Sequence, residues 1–185
     1  VGEPVVLRTA RLTLSRPVDA DIDAIFDACQ DPLIQDYTTV PSPYTHEDAV
    51  KFVALVGQWW DVGSELVWAI RDGDGLAGMI GVHRIKDGAA ELGYWLAPHA
   101  RGRGYVSEAA NTVVDFAFGP LRLDRLEWHA VVGNHASARV ARSLGFQLEG
   151  VRRHGLFHRG ARVDGWIAGL LATDPRTPQT WPTLP

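Results

Sequence analysis

Residues 88–133 constrain the fold more tightly than any other part of the chain. "GAAELGYWLAP" (88–98) alternates like a strand, with Gly88 opening the turn before it, and "LDRLEWHAVVG" (123–133) alternates again. Between them, "GYVSEAANTVVDFAFG" (104–119) places Val106, Ala109, Ala110, Val113, Val114 and Ala117 on one helical stripe. A strand, a helix and a strand in that order make a parallel crossover, for which ~30 residues suffice. The helix must then bury its stripe on the sheet its two strands share.

The flanking segments add antiparallel structure. "ELVWAIRDGDGLAGMIGVHRI", from Glu65, predicts two strands around the turn Asp72–Gly75, so the strand at 88–98 is the third of a meander. "LRTARLTLSRP" (7–17) reads as one half-exposed strand with Leu12 and Leu14 inward. "VDADIDAIFDACQD" (18–31) is a helix with Ile22, Ile25, Phe26 and Cys29 at helical spacing and Asp19 as its cap. "PLIQDYTTVPSPYT" (32–45) has three prolines and no helical period, and reads as a loop. A second helix starts at Thr45, with Glu47 and Asp48 in its first turn and Ala49, Val53, Val56 and Trp60 as its stripe. "NHASARVARSLG" (134–145) is a helix closed by Gly145, and 146–172 forms a last hairpin. The pattern predicts an α/β (α+β) domain over residues 1–172, with a single mixed, mostly antiparallel sheet flanked by helices. A proline-rich tail, 173–185, is expected to be loosely held.

Composition narrows the function. The chain has 185 residues, 46% hydrophobic and 22% charged, in the range of soluble globular domains. A chain of this size buries roughly 70% of its unfolded surface and needs no staples. The net charge of -4 argues against a nucleic-acid partner. Cys29 is the only cysteine, which excludes an intramolecular disulfide, a CxxC redox pair and a multi-thiolate zinc site. No apolar run approaches the ~20 residues needed to cross a bilayer, and no leader-like segment opens the chain, which begins at Val1. These features predict a cytoplasmic protein without a membrane partner. His154 and His158 are spaced i, i+4 but in a predicted hairpin, so no metal is expected. There is no G-x-S-x-G elbow, and Cys29 lies in an apolar stripe, which leaves hydrolase nucleophiles unsupported.

"WLAPHARGRGYVSEAA" (95–110) carries the chemistry. Arg101, Gly102, Arg103 and Gly104 lead into a helix whose first N–H groups lack partners and whose dipole is positive at that end. Glycines let a phosphate approach the backbone, and successive N–H groups form an anion nest. The stretch lacks the third glycine of a dinucleotide fingerprint and the Gly-Lys-Ser/Thr ending of a Walker loop. On local residues alone, an ordinary turn and an anion nest both remain open.

The stretch resembles the Gln/Arg-x-x-Gly-x-Gly/Ala signature of the GNAT acyltransferase superfamily. Arg101 and Gly104 match, and Val106 stands where a small residue is usual. "NHASARVARSLGF" resembles the Asn-x-x-Ser…Gly-Phe segment of the branch similar to ribosomal-protein (alanine/serine) N-acetyltransferases, and "TARLTLSRP" resembles its opening strand. The resemblance covers residues 7–172 in family order. It implies acyl-coenzyme A as co-substrate, acetyl-CoA being the default donor and succinyl-CoA another. The N–H groups of Gly102, Arg103, Gly104, Tyr105 and Val106 would hold the pyrophosphate, with Arg101 and Arg103 available to phosphates. The strand edge at Trp95, Leu96 and Ala97 would pair with the pantetheine, and Asn134 and Ser137 would lie near the cofactor. The implied activity is N-acyl transfer to a primary amine, of a protein N-terminus or a small molecule such as an antibiotic or polyamine, by direct attack in a ternary complex. A catalytically inactive CoA-binding regulatory module is the alternative of another class.

Such a transfer needs a neutral amine, a stabilised oxyanion and a proton or hydrogen bond for the departing thiolate. The tyrosine that many members of this superfamily place seven residues beyond the Asn is Ala141 here. Ser137, one turn after Asn134, resembles the serine that serves instead; its other reading is a helix cap or a solvent-facing serine. Glu91 is the leading base, acting through a water, against the reading of a strand carboxylate paired to an arginine. Period-2 counting puts Glu91, Gly93 and Trp95 on one face and Leu92, Tyr94 and Leu96 on the other. His83, His129 and Asp164 are weaker candidates. For the acceptor, the family places the loop 32–46 over the site, with Asp36, Tyr37, Tyr44 and His46, and Trp59 and Trp60 beyond. Aromatics with an acid suit a cationic amine, whereas aromatics at helical spacing suit a core. The basic hairpin "RRHGLFHRGAR" (152–162) has three open readings: an acidic acceptor or acyl group, a solvated face, or the contact of a homodimer.

Overall fold

The alternating segments of residues 66–96 form a meander in the computed structural model, which describes residues 4–73 and 75–182. β3 (Leu66–Asp72), β4 (Gly75–Lys86) and β5 (Ala89–Leu96) pair antiparallel in sequence order, with Asp72 opposite Gly75 at the first turn. The crossover follows: α4 (Tyr105–Phe118) leaves β5 and returns the chain to β6 (Arg125–Val131), which pairs parallel with β5. α5 (His135–Leu144) and the hairpin of β7 (Gln147–His158) and β8 (Ala161–Leu171) complete the second half. With β1 (Leu7–Arg8) and β2 (Thr13–Ser15) the sheet order is β1-β2-β3-β4-β5-β6-β8-β7. Only β5 and β6 run parallel, so the sheet is mixed and mostly antiparallel, as its patterning requires. α1 (Ile22–Ala28) and α3 (His46–Val62) pack on each other. Among the described residues, no helix is long and apolar enough to cross a membrane.

The stripe of α4 is fully used: Ala109, Ala110, Val113, Val114 and Ala117 are completely buried. Small residues there let the helix lie close to β4 and β5, and the largest buried side chains, Trp68, Trp128, Trp166 and Phe146, fill the remaining volume.

Four segments differ from their sequence reading. The predicted single strand 7–17 is broken into β1 and β2 by a tight turn, in which Thr9 N–H donates to Leu12 O and Leu12 N–H to Thr9 Oγ1. The turn exists because Glu108 of α4 accepts from the Thr9 hydroxyl, the Arg11 N–H and the Arg11 guanidinium. Residues Pro32–Tyr37, predicted as loop, form a short helix, α2. Pro32 sits in its first turn, where a missing N–H costs nothing, and Asp31 Oδ1 caps the Ile34 N–H at 3.1 Å. Asp19 is not a cap; Asp21 instead accepts the Val18 N–H at 2.8 Å. The proline-rich tail is docked: Trp181 is buried, donates Nε1–H to Phe146 O at 2.8 Å and lies 5.6 Å from the Trp128 ring. Arg176 adds bonds to Asp115 and Asn111 of α4. Proline content excluded regular structure there but not packing.

Asp21 is the one buried charged residue among the described residues, gripped by both terminal nitrogens of Arg71 at 2.5 and 2.7 Å. Burial works against its charge, but the Arg71 and Val18 hydrogen bonds prevail and hold the carboxyl below the usual carboxylate range. Its stabilisation is complete above the ordinary Asp value near 3.9 and is lost as the pH falls through the lowered one. Asp21→Ala, which strands Arg71, destabilises the fold by about 3–5 kcal/mol in chemical denaturation near neutral pH.

Candidate active site

β5 is bound along its length to β4, with Gly78 opposite Leu96, but it pairs with β6 only from Ala89–Arg125 to Glu91–Glu127. Beyond Glu91 the two strands part and leave a wedge in the sheet. The Ala97 N–H is already spent on Ala77 O at 2.9 Å, and strand alternation turns the main-chain groups of Trp95 the same way. This corrects the predicted pantetheine edge: Leu92, Tyr94 and Leu96, not Trp95 and Ala97, direct their main-chain groups into the wedge.

At the mouth of the wedge, Gly102 and Gly104 adopt left-handed conformations at φ 75° and 76°. Gly104 is the N-cap of α4, and among the described residues no side chain caps the helix. Its first-turn N–H groups therefore have no helical partner. A Cβ on Gly102 would meet nothing within 4 Å, so the backbone there faces open space. Val106 is 9% exposed, and its bulk is absorbed inside the protein rather than at this opening.

The two arginines are not aimed at the opening. Arg101 donates to both oxygens of Asp31, at 2.6 and 3.3 Å, and to Leu96 O at 3.2 Å. The Arg101 bond, opposed by burial, holds the Asp31 carboxyl below its usual range. Arg103 lies 3.7 Å from Asp72 and over the Tyr105 ring at 5.8 Å, with Arg11 stacked on the same ring at 4.9 Å. The predicted phosphate contacts of Arg101 and Arg103 thus require these carboxylates to yield.

On one face of the wedge, Trp128 Nε1–H donates to Ser137 Oγ at 2.9 Å and the Ser137 hydroxyl donates to Tyr94 Oη at 3.0 Å. The Tyr94 hydroxyl donates a hydrogen bond to the backbone Ser137 O at 3.0 Å, and burial pushes its phenol up, so it stays protonated. Ser137 is therefore not solvent-facing. Asn134 caps α5, its Oδ1 accepting the Ser137 N–H at 3.2 Å. Ala141 is completely buried, but a phenol still reaches this site, from β5 rather than from α5. Tyr94 was not singled out from the sequence. Its face was legible, but the register that brings β5 beside α5 was not.

Glu91 lies on the other face. Its Oε2 meets Nδ1 of His129 at 3.0 Å and is ion-paired with Arg84. Glu127, held by Arg125 at 3.1 Å, approaches His129 Nε2 at 3.4 Å. These groups floor an open cleft of about 580 Å³ walled by Arg84, Arg152 and Phe157. His83 is bonded to Glu65 at 2.5 Å, and Asp164 accepts the His154 N–H at 2.7 Å within the last hairpin.

Of the overhanging segment, Asp36 binds Arg159 at the β7–β8 turn, and Arg159 also donates to Ser42 at 3.1 Å. Tyr37 is exposed; Tyr44 and Trp60 are core residues, Trp60 donating to Val67 O at 3.0 Å. Trp59 stacks edgewise on Phe52, and His46 pairs with Asp23. Burial pushes the Cys29 thiol up to about 12, which makes it unreactive.

Residues 11–147 match the family model described as "Acetyltransferase (GNAT) domain". The chain belongs to this family of acetyltransferases. It is 31% identical over 163 residues to the uncharacterized N-acetyltransferase YoaA of Bacillus subtilis (strain 168), covering 86% of this chain and 92% of that one. Its fold is similar to that of RimL, a ribosomal L7/L12 alpha-N-protein acetyltransferase solved in complex with coenzyme A (TM-score 0.84, 21% identity, covering 90% of this chain and 98% of that one). It is also similar to the microcin C7 self immunity acetyltransferase MccE, solved with acetyl-CoA and AMP (TM-score 0.81, 22% identity, 88% and 93%).

Asn134→Ala removes the cap of α5 and lowers stability by about 1 kcal/mol in chemical denaturation.

Proposed function

We propose that the protein transfers the acetyl group of acetyl-CoA to a primary amine, of a protein N-terminus or a small molecule, by direct attack in a ternary complex. The observation that carries this reading is the wedge between β5 and β6 with the uncapped start of α4 at its mouth. The main-chain groups that β5 turns into the wedge at Tyr94 and Leu96 suit the amides of a pantetheine arm, with Leu96 O shared with Arg101. The N–H groups of residues 102–106 suit a pyrophosphate, and the two glycines leave room for it. Asn134 contributes by capping α5 and so placing Ser137.

Proton handling divides between the two faces. The Ser137 hydroxyl, its oxygen held by Trp128, turns its proton from Tyr94 to the departing thiolate. The cluster of Glu91, His129 and Glu127 faces the amine. Direct attack is supported by the chemistry available, since the buried thiol of Cys29 is held protonated.

Thiol release from acetyl-CoA across a panel of α-amines, polyamines and aminoglycosides tests the activity. Acetyl-CoA binding without turnover on any acceptor sinks it in favour of a regulatory module. Ser137→Ala lowers kcat by about 10²-fold with little change in the acetyl-CoA Kd; unchanged turnover removes Ser137 from the reaction. Gly104→Val, strained at φ 76° and crowding the opening, raises that Kd by about tenfold. Calorimetry on the folded variant checks it, and an unaltered Kd removes the nest.

A further inference from the structure

Among the described residues that line the cleft, His129 has a buried ring nitrogen that no hydrogen bond satisfies. Its side chain is 10% exposed, yet Nε2 has no hydrogen-bond partner among the described residues. A buried ring nitrogen left bare is costly unless something else binds it. Nδ1 is committed to Glu91 at 3.0 Å, and a carboxylate can only accept, so Nδ1 carries the proton and Nε2 presents a lone pair. Glu127, 3.4 Å from Nε2, supplies negative charge where a cation would arrive, but its own carboxylate is anchored by Arg125.

Glu91 is poorly placed to be the proton acceptor. Its Oε2 is occupied by the Arg84 guanidinium as well as by His129. The arrangement is the one in which a carboxylate orients an imidazole and the imidazole does the proton work.

We propose that His129 Nε2 is the general base of the acetyl transfer, taking the proton from the acceptor's ammonium, with Glu91 as the positioning residue that sets its tautomer. This rests on the acetyltransferase reading above. The ammonium gives one proton to Nε2, and the freed lone pair forms the C–N bond at the thioester carbonyl carbon. The C–S bond breaks with its electron pair on sulfur, and the amine's next proton goes to that thiolate through Ser137. The imidazolium returns its proton to water, so one proton is released per turnover.

The charges facing the ring fit this role. They are Glu91 from β5, Glu127 and Arg125 from β6, Arg84 from β4, and Glu149 and Arg152 from β7. Burial first, and then the three arginines against Glu127, lower the imidazole below its ordinary value near 6.5. At neutral pH the base is therefore uncharged and competent, and it is lost only as the pH falls below that range.

The test is His129→Gln, which keeps a side-chain donor for Glu91. Its kcat falls about 10²–10³-fold at pH 7. The melting temperature and acetyl-CoA Kd stay near wild type, and the deficit narrows above the acceptor's own pKa, where the amine arrives neutral. A deficit equal at every pH, or none, overturns the role. Nitrogen-15 NMR of the wild-type imidazole needs no acceptor: a proton on Nδ1 and a bare Nε2 at pH 7 are expected, and a doubly protonated ring overturns the proposal. Wild-type protein that releases no thiol with any amine overturns the acetyltransferase reading itself, and this inference with it. Wild-type turnover with an equally active variant overturns His129 alone.

Discussion

The parting of β5 from β6 after Glu91 and Glu127 is the constraint on which the rest of the structure depends. Each strand remains fastened on its outer side, β5 to β4 and β6 to β8, so neither can swing across to close the gap. A sheet interrupted at its centre leaves main-chain donors and acceptors to be satisfied by a side chain, as Arg101 does for Leu96 O, or by a ligand or water. The interruption also gives two side-chain sets access to one point. Tyr94 and Ser137 approach from one face, Glu91 and His129 from the other.

Holding that opening takes contacts far apart in sequence. The turn at Thr9–Leu12 is pinned to Glu108 in the first turn of α4, with Arg11 stacked on Tyr105. Glu108 is held below the usual carboxylate range because its bonds to Thr9 and Arg11 outweigh burial. The N-terminal strands thus brace the helix end at which an anion would bind. At the other end, Arg176 and Trp181 tie the C-terminal segment to α4 and to Phe146, just beyond the Gly145 cap of α5.

Most of the architecture was legible in the sequence because it rests on periodicity. The stripe of α4, the meander and the crossover needed only neighbours a few residues away. What was not legible depends on distant partners. The break at Thr9–Leu12 needs Glu108, the docked tail needs the cavity beside Trp128, and α2 needs Asp31 as its cap. The glycine mouth could be read in the sequence, but the commitment of Arg101 to Asp31 could not. Glu91 could be assigned its face by counting, whereas the bare Nε2 of His129 emerges only when β4, β6 and β7 are in place around it.

The short helix α2 joins the two halves of the site. Its cap Asp31 grips Arg101 beside the glycine loop, and Asp36 near its end grips Arg159 at the tip of the last hairpin. Arg101 cannot hold Asp31 and a phosphate through the same two nitrogens. Losing the Arg101 pair would free one end of α2 while Arg159 still holds the other. Through six residues of helix, the glycine loop and the tip of the last hairpin are held by one strut.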